Sequence, residues 1–142
     1  MPNLEKFIKF LIASPSSGLV IKDKTINIET IEKKLSEMKK SFISLAINLT
    51  SNEENFWQKI EEAMKKNLWL ILDIEEDIPA WLYKQLQVLS GNGHLYNHQA
   101  NKEISLETTS TRILVLIAEK DLEKSSFNNL LDCFGIVFRN ER

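Results

Sequence analysis

The chain has 142 residues, 43% of them hydrophobic and 27% charged, with Gly 4 and Pro 3. That is ordinary globular composition, long enough for one domain with a modest core, and it excludes a disordered, collagen-like or linker-rich chain. Lys+Arg 18 against Asp+Glu 20 leaves a formal charge of -2, so no global field steers it to nucleic acid or an anionic membrane.

From the N-terminus, Met1-Pro2-Asn3-Leu4-Glu5-Lys6 is too charged for a secretory signal, and the expectation is a cytoplasmic protein. Leu4, Phe7, Ile8, Leu11 and Ile12 recur at helical spacing over Leu4–Ala13, although Phe10 also allows a strand over Phe7–Ile12. Ser14-Pro15-Ser16-Ser17-Gly18 breaks either element, and Leu19–Ile21 suits a short strand. Asn27 or Thr25 can cap a helix from Ile28 to Lys39 with Ile28, Ile31, Leu35 and Met38 on one face. Phe42–Leu49 carries apolar residues on both alternating faces and reads as a buried strand.

Ser51 or Asn52 then caps a helix with Glu53 and Glu54 in its first turn and Lys65 and Lys66 in its last, the charge order the dipole favours. Phe56, Trp57, Ile60 and Met64 form its apolar stripe, and Asn67 stops it. Leu68-Trp69-Leu70-Ile71-Leu72-Asp73 is a continuous apolar strand ending in a carboxylate, the kind covered on both faces in parallel sheets. It is far too short to span a membrane. Pro79 opens a helix over Ala80–Leu89, where its missing N–H costs least, and Gly91-Asn92-Gly93 ends it. His94–Asn97 and Glu103–Leu106 look like hairpin arms around a turn at Gln99–Lys102. Arg112 introduces the strand Ile113–Ala118; a short helix, Ser125–Leu131, and a last strand, Gly135–Phe138, follow.

Strands alternating with helices imply crossovers. The expected fold is a single three-layer α/β domain over residues 1–142, with a mainly parallel sheet and a short hairpin. Leu68–Leu72 should be its central strand, between Phe42–Leu49 and Ile113–Ala118. Trp69, Leu70, Ile71, Leu114, Leu116 and Ile136 are expected in the core.

In open parallel sheets ligands gather at the carboxyl ends of strands, and Asp73 stands at such an end. An aspartate there can hold Mg²⁺, as the Walker B aspartate of P-loop ATPases does, or simply cap the following loop. The run Asn55–Asp73 resembles the helix-then-Walker-B segment of AAA+ ATPases, nearest to the dynein, midasin and MoxR-type modules. Matching pieces continue through the acidic loop Ile74–Ile78, the Trp-bearing helix Pro79–Leu86 and the hairpin Gly93–Tyr96 with Glu103–Leu106. Arg112–Ile117 and Phe134–Phe138 complete the set. The resemblance covers residues 42–139 and leaves 1–41 as a divergent N-terminal part.

This resemblance implies a P-loop/AAA+-like fold and a phosphate-binding loop, G-x-x-x-x-G-K-[ST], near the front of the chain. The candidate is Gly18-Leu19-Val20-Ile21-Lys22-Asp23-Lys24-Thr25, which makes Gly18, Lys24 and Thr25, with Asp73, the expected nucleotide-binding residues. Ser14–Gly18 as a shortened relic without the lysine is the alternative. Asp23 stands where the second glycine belongs and adds negative charge, while Leu19-Val20-Ile21 suits a strand better than a nest of N–H groups. Ile74 replaces the glutamate that usually follows the Walker B aspartate, and Glu75 would point to the opposite side of an extended chain. Ala118-Glu119-Lys120 occupies the sensor position, Asp132-Cys133-Phe134 offers no arginine finger, and the helical lid of such modules is not expected here.

Other residues carry less. Cys133 reads as buried packing, and one cysteine with two histidines makes a poor zinc set. His94 and His98 read as surface polar residues, with a metal pair on one hairpin face as the sharper option. Asp73 with Glu75 is the candidate metal pair, and Glu76 and Asp77 read as a solvated loop. Trp57 and Trp69 read as core, whereas Trp81 near a helix start could face a partner.

Three readings follow. The first is a non-hydrolysing AAA+-like module that binds or assembles with other proteins or as a homo-oligomer, with no catalytic residues, no nucleic acid and no membrane. No cofactor is expected, although weak ATP and Mg²⁺ binding is compatible with it. The second is a small nucleotide- or metal-dependent phosphohydrolase using Asp73. The third is a stand-alone α/β domain such as a mobile-element or host-interaction protein.

Overall fold

A computed structural model describes residues 2–14, 17–92, 94–106 and 109–140. The first helix, α1 (Pro2–Ala13), buries Leu4, Phe7, Ile8 and Leu11 and leaves Phe10 60% exposed. That 3.6-residue spacing decides for helix over strand. Pro15 and Ser16 of the breaker cluster lie outside the described residues, and Gly18 already belongs to β1 (Gly18–Lys22).

Helix α2 (Ile28–Glu37) starts at Asn27. Its side chain accepts from the Thr30 N–H while the Thr30 hydroxyl accepts from the Asn27 N–H, a reciprocal cap. Strand β2 (Phe42–Ile47) stops two residues before Leu49, because Asn48 turns the chain. Helix α3 (Glu53–Lys66) is capped by Asn52 and closed by Asn67 in the left-handed conformation (φ 57°), which Asn tolerates better than most residues.

Strand β3 (Trp69–Ile74) begins after Leu68 and runs one residue past Asp73. Helix α4 (Ala80–Asn92) continues through Gly91 and Asn92, three residues beyond the expected end. The hairpin β4 (His94–Asn97) and β5 (Lys102–Ser105) turns one residue earlier than the sequence suggested. Strand β6 (Ile113–Ala118), helix α5 (Ser125–Cys133) and strand β7 (Val137–Phe138) complete the chain.

The main sheet has five strands in the order β2-β3-β6-β1-β7, and every pairing is parallel. Strand β3 does lie between β2 and β6, but the middle strand is β6, all but its last residue buried. Helices α1 and α2 cover one face against Val20, Ile71, Leu114 and Leu116. Helices α3, α4 and α5 and the hairpin cover the other against Leu19, Leu70, Leu72, Ile113, Val115 and Ile117. This is a three-layer α/β fold with the hairpin as an appendage. No helix among the described residues is long and apolar enough to cross a membrane.

Three core expectations need correction. Phe42–Leu49 is not a buried strand: β2 is an edge of the sheet, with only Ile47 buried and Ser44 and Ala46 exposed. Ile136 is only half-buried, because it precedes the two-residue edge strand β7. Cys133 is exposed at the last position of α5, whereas Phe127 and Leu130 are the residues of that helix that enter the core.

Arg112 is a feature of the fold rather than of a site. It is buried, and its guanidinium donates to the carbonyls of Leu11 (2.7 Å), Ser14 (3.1 Å), Thr109 (2.9 Å) and Thr111 (2.8 Å). It thereby caps the C-terminus of α1 and pins it to the start of β6. Burial pulls its pKa below the ordinary arginine value, but the group stays cationic at neutral pH.

Candidate functional site

Strand β1 leaves toward β2 through α2 on one face; β6 leaves toward β7 through α5 on the other. The two strands are neighbours, so their connections diverge and a crevice opens at their carboxyl ends, the place where α/β sheets bind ligands. Lys22, Asp23, Lys24 and Asn27 line it from the β1 side and Ala118, Glu119 and Lys120 from the β6 side, around about 620 Å³.

Strand alternation turns Asp73 to the same face as Trp69 and Ile71, toward α2. Lys22, at the end of β1, faces the same way as Val20. The two side chains meet across the intervening β6, where the Lys22 ammonium donates to the Asp73 carboxylate in a close ion pair. Each side chain is only 19% exposed, so solvent and salt screen the pair less than a surface one. Asp73 already has a cation, supplied by its own chain. Sequence reasoning missed Lys22. Nothing in the order of residues shows that β1 and β3 are two strands apart and finish within a residue of each other along β6.

The loop after β1 is closed on itself. The Asp23 carboxylate accepts from the backbone N–H of Thr25 (2.8 Å) and of Ile26 (2.7 Å), and the Asp23 N–H donates to the Ile26 carbonyl (2.9 Å). The Asn27 side chain takes the Thr30 N–H at 3.0 Å, and the Thr30 hydroxyl donates to the Thr25 carbonyl at 3.0 Å. Backbone N–H groups at such a turn are what an anion would use. Here a tethered carboxylate holds two of them, and Asn27 holds a third at the start of α2. Lys24 is exposed, and no glycine stands between Lys22 and Ile28.

Gly18 does not join this group. It opens β1 opposite Leu114, whereas Asp73 is level with Leu116 and Lys22 with Ala118. A Cβ on Gly18 would sit 2.6 Å from Phe7 Cζ and 2.9 Å from Leu11 Cδ1, so the glycine is there to let α1 lie close on β1. The structure thus brings Lys24, Thr25 and Asp73 to one edge of the sheet and places Gly18 away from it. Gly18→Ala should cost about 1–2 kcal/mol in urea unfolding, the lower part of the overpacking range, because the clashing atoms end side chains. A neutral or stabilising result would show that α1 has room to shift.

Glu75 accepts from Asn48 Nδ2 at 3.3 Å, and its N–H donates to the Ile47 carbonyl. It serves the β2 end of the sheet. Trp81 is half-buried and lies edge-on to Phe56 with ring centroids 5.4 Å apart, so packing accounts for it. His94 Nδ1 meets Glu103 at 2.7 Å, while His98 sits in the hairpin turn with its ring against Tyr96. Among the described residues no group of three or more His, Cys, Asp or Glu is placed to hold a metal ion. No protein-family model matches the chain, and no curated protein matches it in sequence.

Proposed function

We propose that the chain is a non-hydrolysing AAA+-like module that works by binding, assembling with other proteins or with further copies of itself. One observation carries this reading. Both groups that would meet a magnesium nucleotide are committed inside the chain, Asp73 to Lys22 and the loop N–H groups to Asp23. The residues at the crevice therefore do not fit ATP with Mg²⁺. A divalent cation would have to displace the Lys22 ammonium, and a phosphate would have to displace a carboxylate tethered at short range while lying beside its negative charge. Phosphoryl transfer rests on positioning and charge stabilisation by such groups. The phosphohydrolase reading would need both internal contacts to open together. The convergence of Asp73 with the loop after β1, across an intervening strand, supports the AAA+-like part of the reading.

Thermal unfolding with nucleotide tests it. At about 5 mM ATP with Mg²⁺, a site with Kd near about 50 μM would add roughly 2.7 kcal/mol, a rise of several degrees in Tm. The expected shift is under about 1 °C. A rise of several degrees that Asp73→Asn removes would make the nucleotide reading the better one.

A further inference from the structure

The two edges of the sheet are unlike. Strand β7 is two residues long, whereas β2 presents six residues, Phe-Ile-Ser-Leu-Ala-Ile, with no charge and no proline. The Trp69 N–H donates to the Ser41 carbonyl (2.9 Å) and the Glu75 N–H to the Ile47 carbonyl (2.8 Å). By strand alternation, odd residues therefore turn their main-chain groups to β3, and Phe42, Ser44 and Ala46 turn theirs outward. A long edge without charge, proline or bulge is a template for another strand. Ser44 and Ala46 are exposed and small, so a second backbone can approach, with the Ser44 hydroxyl donating to Glu32 of α2 on that face.

We propose that this edge pairs with β2 of a second copy of the chain, antiparallel, about a two-fold axis at Ser44. The choice of occupant rests on self-complementarity. That register sets Ser44 against its own copy and Phe42 against Ala46, large against small. On the α3 face Ile43 meets Leu45, two half-buried apolar side chains at the closer, non-hydrogen-bonded spacing. At the strand ends charge is complementary, Lys40 of one copy falling opposite Asn48 of the other; at the axis the two Glu32 carboxylates, each accepting from its own Ser44 (3.0 Å), oppose it. Asn48 holds Glu75 and lies in a groove of about 430 Å³ with Leu49, Thr50, Glu75 and Glu76. Two symmetric contacts of basic end with acidic end follow. Pairing would join two five-stranded sheets into one of ten strands and cover Leu49, which is 63% exposed.

The inference names the partner in the assembly reading above and rests on it. Sedimentation velocity of the full chain from about 5 to about 500 μM reads it, and the expected result is a concentration-dependent dimer. Ser44→Pro removes an outward N–H that the folded monomer does not use, a position where edge strands tolerate proline; it should give a folded monomer. Lys40→Glu should raise the dimer Kd about fivefold, because two exposed pairs are lost. Adding Glu75→Lys to it should restore the original Kd within about twofold. If Ser44→Pro fails to fold, the charge pair alone decides. A wild-type chain monomeric at the highest concentration, a dimer that survives in folded Ser44→Pro, or a charge swap that does not restore pairing would each overturn the proposal. Those failures leave the nucleotide experiment untouched, whereas phosphate release from ATP that Asp73→Asn abolishes would sink the non-hydrolysing reading and leave the dimer data standing.

Discussion

Arg112→Ala should lower the free energy of unfolding by about 3–5 kcal/mol, near the range seen when one partner of a buried charged network is removed. The guanidinium is the donor for five carbonyls, Leu11, Ile12 and Ser14 at the end of α1 and Thr109 and Thr111 before β6. Each buried acceptor stranded without a donor costs about 1–3 kcal/mol, and water reaching the gap recovers part of that. A positive charge at a helix C-terminus also opposes the helix dipole's negative end, so α1 loses a favourable electrostatic contact as well. Arg112→Lys keeps the charge but not the planar fork, and should recover less than half of the loss. A deficit below about 1 kcal/mol in urea for Arg112→Ala would show that α1 is held by its apolar face alone.

Leu70→Ala is expected to cost about 2–5 kcal/mol, the range for a fully buried leucine whose cavity cannot collapse. Leu70 has no exposed surface and sits in an interior strand between Ile43 of β2 and Ile113 of β6. Leu49→Ala, at a residue 63% exposed, should change stability by less than about 0.5 kcal/mol. A similar small effect at both positions, read from the urea midpoint at constant m, would contradict the placement of β3 inside the sheet.

The order of elements was legible because the periodicities change cleanly along the chain. Phe56, Trp57 and Ile60 mark one helical face and Trp69–Leu72 an uninterrupted strand, and caps such as Asn52 and Asn67 lie where their side chains and φ preference suit them. Ends were read less well. Gly91 does not stop α4, because a glycine within a helix costs only about 1 kcal/mol. Leu68 and Ile136 are apolar but lie just outside their strands, and apolar character alone does not mark the first paired residue. Apolar neighbours make Cys133 look like core, yet it is the last residue of α5 and is exposed while Leu130, one turn earlier, is buried.

Lys24, which lines the crevice, and Asp73 and Thr25, which lie beside it, are legible in the sequence, but their relations are not. Asp23 looked harmful to a phosphate loop because of its charge; the structure adds that its carboxylate binds the loop's own N–H groups. Lys22 passed as a strand residue, since its partner lies 51 positions away and two strands over. Gly18 fitted a motif by spacing while its reason is contact with Phe7 and Leu11. Side chains that meet only through sheet order leave no trace in local sequence.

The central claim is that internal contacts occupy the places of metal and phosphate, and phosphate release from ATP with Mg²⁺ measures it most directly. Purified protein should release phosphate no faster than buffer, and Asp73→Asn should change nothing. Release above background that Asp73→Asn abolishes would contradict the account, because Asp73 would then be free of Lys22 during turnover.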